Sequence, residues 1–230
     1  MNLLAIDSST AVLSVAVARG EEILYTETEA GMKHSELVMD YIDSQMKKAG
    51  LKPKDLDGIL CMGGPGSFTG LRIGFSIAKG LALSLCIPFA PVPTLDCMAL
   101  PCYNSDLVLA AMEARKNAYY YTLYRKGQRL KPDEDAGIVQ IVSEIERYRE
   151  TDAQKITITG AGAASLFNSL SPELKENIIP VFENRGYARE IIAIARKEKI
   201  LDNDCTAYLY SGPEYIRKTD AEINLSGNAN

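Results

Sequence analysis

The sequence predicts an α/β protein of two halves, each a mixed sheet of order βββαβαβα flanked by helices, with the second half reduced. Three observations lead there. Short β-rich apolar runs cluster at the start of each half, a helical periodicity follows each cluster, and strand and helix then alternate.

Residues 2 to 6 and 12 to 18 are apolar and separated by Asp7-Ser8-Ser9-Thr10, and Arg19-Gly20-Glu21 turns the chain into a half-polar run from Glu22 to Glu29. That is a three-stranded meander. From Ser35 to Ala49, Leu37, Val38, Tyr41, Ile42 and Met46 keep helical spacing, and Gly50 is the stop. An apolar strand at 58 to 62 leads into a glycine-rich loop and a helix running to about Leu85. A short strand from Pro88 to Val92 and a short helix from about Thr94 complete the first half. In the second half, strands are predicted near 106 to 112, 118 to 125 and 137 to 142, with a helix from Ser143. A strand at 155 to 159, a helix after Gly160-Ala161-Gly162, a strand at 178 to 182 and a helix from about Tyr187 to Lys199 follow. The boundary is placed near residue 103, giving halves 1–103 and 104–218 and a tail 219–230 whose polar end, Ser226 to Asn230, is expected to fray.

At 230 residues, 47% apolar and 24% charged, the chain has the composition of an ordinary globular protein. A net charge of −5 argues against a broad basic surface, so tight unaided binding to nucleic acid is not expected. Five cysteines form no Cys-x-x-Cys pair, which suits a reducing compartment. The amino terminus lacks a basic n-region, and no stretch approaches the ~18 apolar residues of a membrane span. The cytoplasm is the expected location, with no membrane partner.

The loop Gly63-Gly64-Pro65-Gly66-Ser67-Phe68-Thr69-Gly70 must bend sharply and stay bare of side chains. At a helix N-terminus such a loop suits a phosphate, and it equally suits a tight turn beneath a packed helix. It is not a Walker A loop, because no Gly-Lys-Ser/Thr follows. Along the helix, Gly70, Gly74, Ala78 and Ala82 form a ridge no bulkier than a methyl group. Apolar residues fill most of the remaining circumference, so the helix is expected to be covered on two sides. One cover is its own sheet; the other is a neighbouring helix or a second protein.

Two stacked halves with an Asp-x-x-Thr turn between the first two strands resemble the actin-like ATPase and sugar kinase superfamily, of ribonuclease H-like architecture. That resemblance makes Asp7 and Thr10 the candidates for a phosphate turn, but Ser9 stands where the superfamily has glycine. More closely, Ala5-Ile6-Asp7-Ser8-Ser9-Thr10, His34-Ser35-Glu36, the run from Gly64 to Gly74, Ala78-Lys79-Gly80-Leu81-Ala82, Glu113-Ala114-Arg115 and Pro213-Glu214-Tyr215-Ile216-Arg217 resemble the TsaB (YeaZ) family over nearly the whole chain. Departures fall at Glu113 and Ala118, where that family usually carries aspartate and glutamate.

The resemblance implies a noncatalytic subunit of the machinery that places a threonylcarbamoyl group on the adenosine beside the anticodon, in tRNAs reading codons that begin with A. Its implied partners are a catalytic TsaD-like paralogue, a TsaE-like ATPase and, when alone, a second copy of itself; tRNA is met only through the complex. No cofactor of its own is implied, and ATP or ADP is placed only at the interface with the partners. The paralogue's two metal-holding histidines correspond here to Thr94 and Met98, poor ligands for a borderline divalent metal. The implied docking surface is made of the first two long helices, with His34, Leu37, Val38, Tyr41, Gly70, Arg72, Gly74, Ala78, Lys79 and Ala82 as candidate contacts. Two readings compete. One is a nucleotide-dependent kinase or ATPase of this fold; the other is a glycoprotease-type metallopeptidase, opposed by the chain's single histidine.

Overall fold

A computed structural model describes residues 1–31, 33–114 and 117–216. Arg115, Arg217 and the tail 219–230 named above lie outside the described residues.

The first sheet holds β1 (Asn2–Asp7), β2 (Val12–Arg19), β3 (Glu22–Glu29), β4 (Gly58–Gly64) and β5 (Phe89–Pro93) in the order β3-β2-β1-β4-β5. The meander is antiparallel, and β1, β4 and β5 are parallel. The second sheet is built from β6 (Leu107–Glu113), β7 (Ala118–Arg125), β8 (Gln128–Arg129), β9 (Glu134–Gly137), β10 (Ile156–Thr159) and β11 (Ile178–Pro180). It runs β11-β10-β6-β7, with β8 and β9 both pairing β7. Setting the two-residue β8 aside, the second sheet repeats the order of the first, as the two-half reading of the sequence expects.

The helices are α1 (His34–Ala49), α2 (Phe68–Leu85), α3 (Thr94–Ala99), α4 (Ile138–Tyr148), α5 (Ala163–Asn168), α6 (Pro172–Lys175), α7 (Ala188–Lys197) and α8 (Thr206–Tyr210). Among the described residues none is long and apolar enough to cross a membrane.

Strand alternation decides the layers. On β1, Leu4 and Ile6 face α1 and α2, while Leu3 and Ala5 face the opposite way. On β6, Leu107, Leu109 and Ala111 face α4 and α5, and Val108 and Ala110 face inward. Between the two inward faces lie α3 and α7, whose Leu95, Met98, Ile191 and Ile192 are buried in one cluster with residues of both sheets. The result is five layers: helices, sheet, helices, sheet, helices. The helix that ends the second half, α7, packs on β1, β2 and β4 of the first. Residues on either side of 103 therefore share a single central core.

One element differs in kind from the sequence reading. The strand expected at 137 to 142 is instead β9 ending at Gly137 and then α4. Ile138, Ile141, Val142 and Ile145 recur at helical spacing, and Ile141 and Ile145 are fully buried against the second sheet. That packing overrides the β-branched local preference of Ile-Val-x-Ile-Val.

Candidate functional site

The turn after β1 is closed by the protein itself. Asp7 is completely buried; its Oδ1 accepts from the Ser9 amide at 2.9 Å and the Ser9 hydroxyl at 2.7 Å, and its Oδ2 accepts from the Tyr187 amide at 2.8 Å. Ser14 Oγ accepts from the next amide, Ala188, at 3.1 Å. Two side chains of the first sheet thus satisfy unpaired N–H groups at the start of α7. Burial pushes the Asp7 carboxyl up, opposed by its hydrogen bonds from Ser9 and Tyr187 and by the nearby His34. Thr10, the other phosphate-turn candidate, bonds only locally, its Oγ1 accepting from the Val12 amide at 3.1 Å. Both candidates are engaged within the chain.

The glycine loop owes its bareness to the same turn. Ser67 N–H donates to the Ser9 carbonyl at 2.8 Å, and the Ser8 hydroxyl donates to the Gly70 carbonyl at 2.8 Å. A methyl group on Gly66 would stand 2.9 Å from Ser9 Cβ, one on Gly74 would stand 2.6 Å from Ser8 Oγ, and one on Gly70 would collide with the Ser8 carbonyl oxygen. Gly64, at φ +117°, lies against the Glu214 carbonyl, while the Glu214 amide donates to Gly63 O at 2.8 Å. Close backbone approach, on both sides, accounts for the glycines.

The Gly160-Ala161-Gly162 turn is a second loop of the same construction. Gly160, at φ +99°, and Gly162 follow β10 and press on Ala111 and on Met112 and Glu113 at the end of β6. Glu113 is exposed, and Ala114 N–H donates to the Ala118 carbonyl across the turn at 2.9 Å.

The docking surface expected on α1 and α2 needs correction. His34, Val38, Gly70, Gly74, Ala78 and Ala82 are buried inside this chain. Gly70 and Gly74 press on the Ser8 turn, and Ala78 and Ala82 pack with Val38, Ile59 and Phe89. The small-residue ridge therefore meets its own sheet and α1 within the chain. A bulky residue at Ala78 would disrupt the monomer and could not probe an interface. Leu37, Tyr41 and Lys79 are half-buried, and Arg72 is exposed.

What α2 leaves outside is a shallow groove of about 440 Å³ lined by Ser35, Phe68, Thr69, Arg72, Ile73, Ser76 and Ile77. Beside it runs the C-terminal strap, α8 with residues 211–216. Lys79 Nζ donates to the Leu209 carbonyl at 3.0 Å and to the Ser211 carbonyl, and Tyr215 stacks on Phe68 with ring centroids 5.2 Å apart. The motif Pro213 to Arg217 marks this stretch in the sequence, but its contacts with α2 span more than 125 residues and are not legible there.

Thr94 and Met98 are both fully buried. Met98 holds the second glycine loop instead, its carbonyl accepting from Thr159 Oγ1 at 3.2 Å. Among the described residues no group of three or more His, Cys, Asp or Glu is placed to hold a metal ion.

Beside them, Asp96 of α3 accepts from Tyr124 OH at 2.6 Å and from Arg129 Nη2 at 2.6 Å, and Arg129 also donates to Asp133. Burial pushes the Asp133 carboxyl up to about 6 against the pull of Arg129, with Asp96 and Glu214 adding repulsion. A folded pKa above the unfolded one means stabilisation complete below about pH 4 and lost as pH rises through about 6. Asp133→Asn should therefore gain stability relative to wild type between pH 4 and 7, by on the order of 2 kcal/mol, because a one-unit shift is worth about 1.4. Urea unfolding across that range measures it; a pH-independent difference would contradict the assignment.

Comparisons with known proteins fit this geometry. The family model described as TsaD, tRNA N6-adenosine threonylcarbamoyltransferase, matches residues 25–225. A Haemophilus influenzae protein named tRNA threonylcarbamoyladenosine biosynthesis protein TsaB is 36% identical over 126 residues, 53% of this chain and 53% of its own length. A Bacillus subtilis protein of the same name is 33% identical over 158 residues, 66% of this chain and 68% of its own length. The match thus spans about half the length of the first relative and two thirds of the second. A Pseudomonas aeruginosa structure, described as uncharacterized with similarity to peptidase YeaZ, superimposes with a TM-score of 0.77 at 22% identity, covering 94% of this chain and 99% of that one. At that identity the likeness speaks for the fold. With most of its length under the TsaD family model and its sequence relatives named TsaB, the chain belongs to the TsaB (YeaZ) family.

Proposed function

We propose that this chain is a noncatalytic subunit in the formation of threonylcarbamoyladenosine in tRNA. It holds a TsaD-like catalytic paralogue in working shape, acts together with a TsaE-like ATPase, and pairs with itself when alone. Its relatives carry the pathway in their name. The observation that carries the reading is where the large exposed apolar side chains sit. Six of the ten among the described residues, Met39 on α1, Phe68 and Leu83 on α2, and Tyr208, Tyr210 and Tyr215 on the strap, belong to the elements on and beside α2, while Met1, Val139, Ile179 and Phe182 are scattered elsewhere. Such concentration marks a binding surface, not a solvated one.

The closed Asp7 turn supports the noncatalytic half of the reading. A carboxylate that already accepts three hydrogen bonds and lies out of solvent is poorly placed to hold a hydrated metal. Any ATP or ADP belongs, in this reading, at the interface with the partners.

The test is reconstitution of tRNA modification with this chain omitted and then restored. Activity that needs the chain, together with no ATP turnover by the chain alone, supports the subunit. Brisk turnover in isolation would instead make it an ATPase of the same fold. Ser76→Arg, an exposed position in the groove, should weaken binding to the paralogue at least tenfold while leaving the unfolding midpoint unchanged.

A further inference from the structure

We infer that Arg72 is the point at which the docking face reads charge: stacked on Phe68 and hydrogen-bonded to Tyr215, it receives a carboxylate side chain from a helix of the catalytic paralogue. The inference rests on the proposed docking reading and adds the chemistry of the contact.

The guanidinium carbon of Arg72 lies 3.8 Å from the Phe68 ring centroid and 6.0 Å from that of Tyr215. Its Nε donates to Tyr215 OH at 3.1 Å. Stacking and this bond together hold the guanidinium plane while using one of its five N–H donors. Among the described residues no carboxylate lies within ion-pair distance of it. Arg125, Arg129, Arg147, Arg149, Arg185 and Arg196 each have an acidic partner within 4 Å. Arg19 and Arg189 are exposed without one too, but Arg19 donates to the Ala49 carbonyl and Arg189 of α7 lies over Tyr25, so of the three only Arg72 lines the groove.

Its surroundings point the same way. Beside it the groove offers the apolar Ile73 and Ile77 and the hydroxyl of Ser76, with no acidic residue in its lining. The first turn of α2 carries no acidic residue either, so the positive end of that 18-residue helix adds to the field of the guanidinium. A planar fork held in place beside apolar surface matches a carboxylate two-pronged, with an apolar neighbour one turn along the same partner helix. The strap is thereby a third part of the docking face, since Tyr215 positions Arg72.

The experiment measures affinity of the full chain for the purified catalytic paralogue of the same source at several salt concentrations. Arg72→Gln should lower affinity about tenfold and flatten its salt dependence, and Arg72→Glu should lower it about a hundredfold. Arg72→Lys should recover only part, because an ammonium cannot reproduce the fork. Tyr215→Phe keeps the ring and removes the bond, so it should cost a few-fold in wild type and nothing further in Arg72→Gln. Wild-type affinity for Arg72→Gln, or a loss with unchanged salt dependence, overturns the inference. A change confined to self-association overturns it as well. Ser76→Arg, run in parallel, separates the two failures. If it weakens binding while Arg72→Gln does not, only the charge contact falls; if it too leaves binding intact, the docking reading itself falls.

Discussion

Gly70→Ala should cost the folded chain about 2–4 kcal/mol. The new methyl would meet the Ser8 carbonyl oxygen, which is main chain and cannot step aside by changing rotamer. Overpacking of this kind typically costs about 1–3 kcal/mol and occasionally more. Here it also pushes apart the groups of the Ser8 Oγ to Gly70 O hydrogen bond. Against this stands the better helix propensity of alanine, worth about 1 kcal/mol. Gly80 isolates that second effect, because it lies on the same helix, is exposed and has nothing within 4 Å of an added Cβ. Gly80→Ala should stabilise the protein by about 1 kcal/mol. Urea unfolding of the two variants should place their midpoints on opposite sides of wild type. Equal midpoints would mean that α2 is not pressed against the Ser8 turn.

The second large effect is expected at Asp7. Asp7→Ala leaves the Ser9 hydroxyl, the Ser9 amide and the Tyr187 amide without their acceptor in a fully buried place, a loss of about 3–5 kcal/mol. Asp7→Asn keeps one acceptor oxygen and should lose about 1–3 kcal/mol. The carboxyl is raised by burial, so its folded pKa exceeds the unfolded one. The associated stability is complete below the unfolded value and falls as pH rises. Asp7→Asn should accordingly recover ground on wild type from pH 4 toward neutrality. Activity of the reconstituted complex should follow the folded fraction of either variant. Were Asp7 a metal-holding group, Asp7→Asn would abolish activity in a chain that remains folded, and the subunit reading would fail there.

Much of the first half was legible because its signals are local. Leu4 and Ile6 alternate with Leu3 and Ala5, Gly50 ends a helix in the left-handed conformation, and Ser67 caps α2 by accepting from the Gly70 amide. The small-residue ridge was legible as a shape, and its occupant was not. Spacing along one helix says how closely something approaches Gly70 and Gly74, and only the fold shows that it is Ser8. The same limit hid the locks on Asp7 and Ser14, whose partners lie 180 and 174 residues away. At α4 the failure was of another kind. The helical period of Ile138, Ile141 and Ile145 competes there with the β preference of branched side chains, and over so short a run the sequence does not decide between them.

The central layer also bears on how the protein comes to be made. β1 leaves the ribosome well before α7, yet Leu3 and Ala5 on its inner face are covered by that helix. Until that late helix arrives, a nascent chain carries a finished outer surface over a naked inner one, a state that attracts chaperones and neighbouring chains. A stop codon between residues 94 and 188 should therefore yield an aggregate in the cell, even though every strand of the first sheet has already been translated.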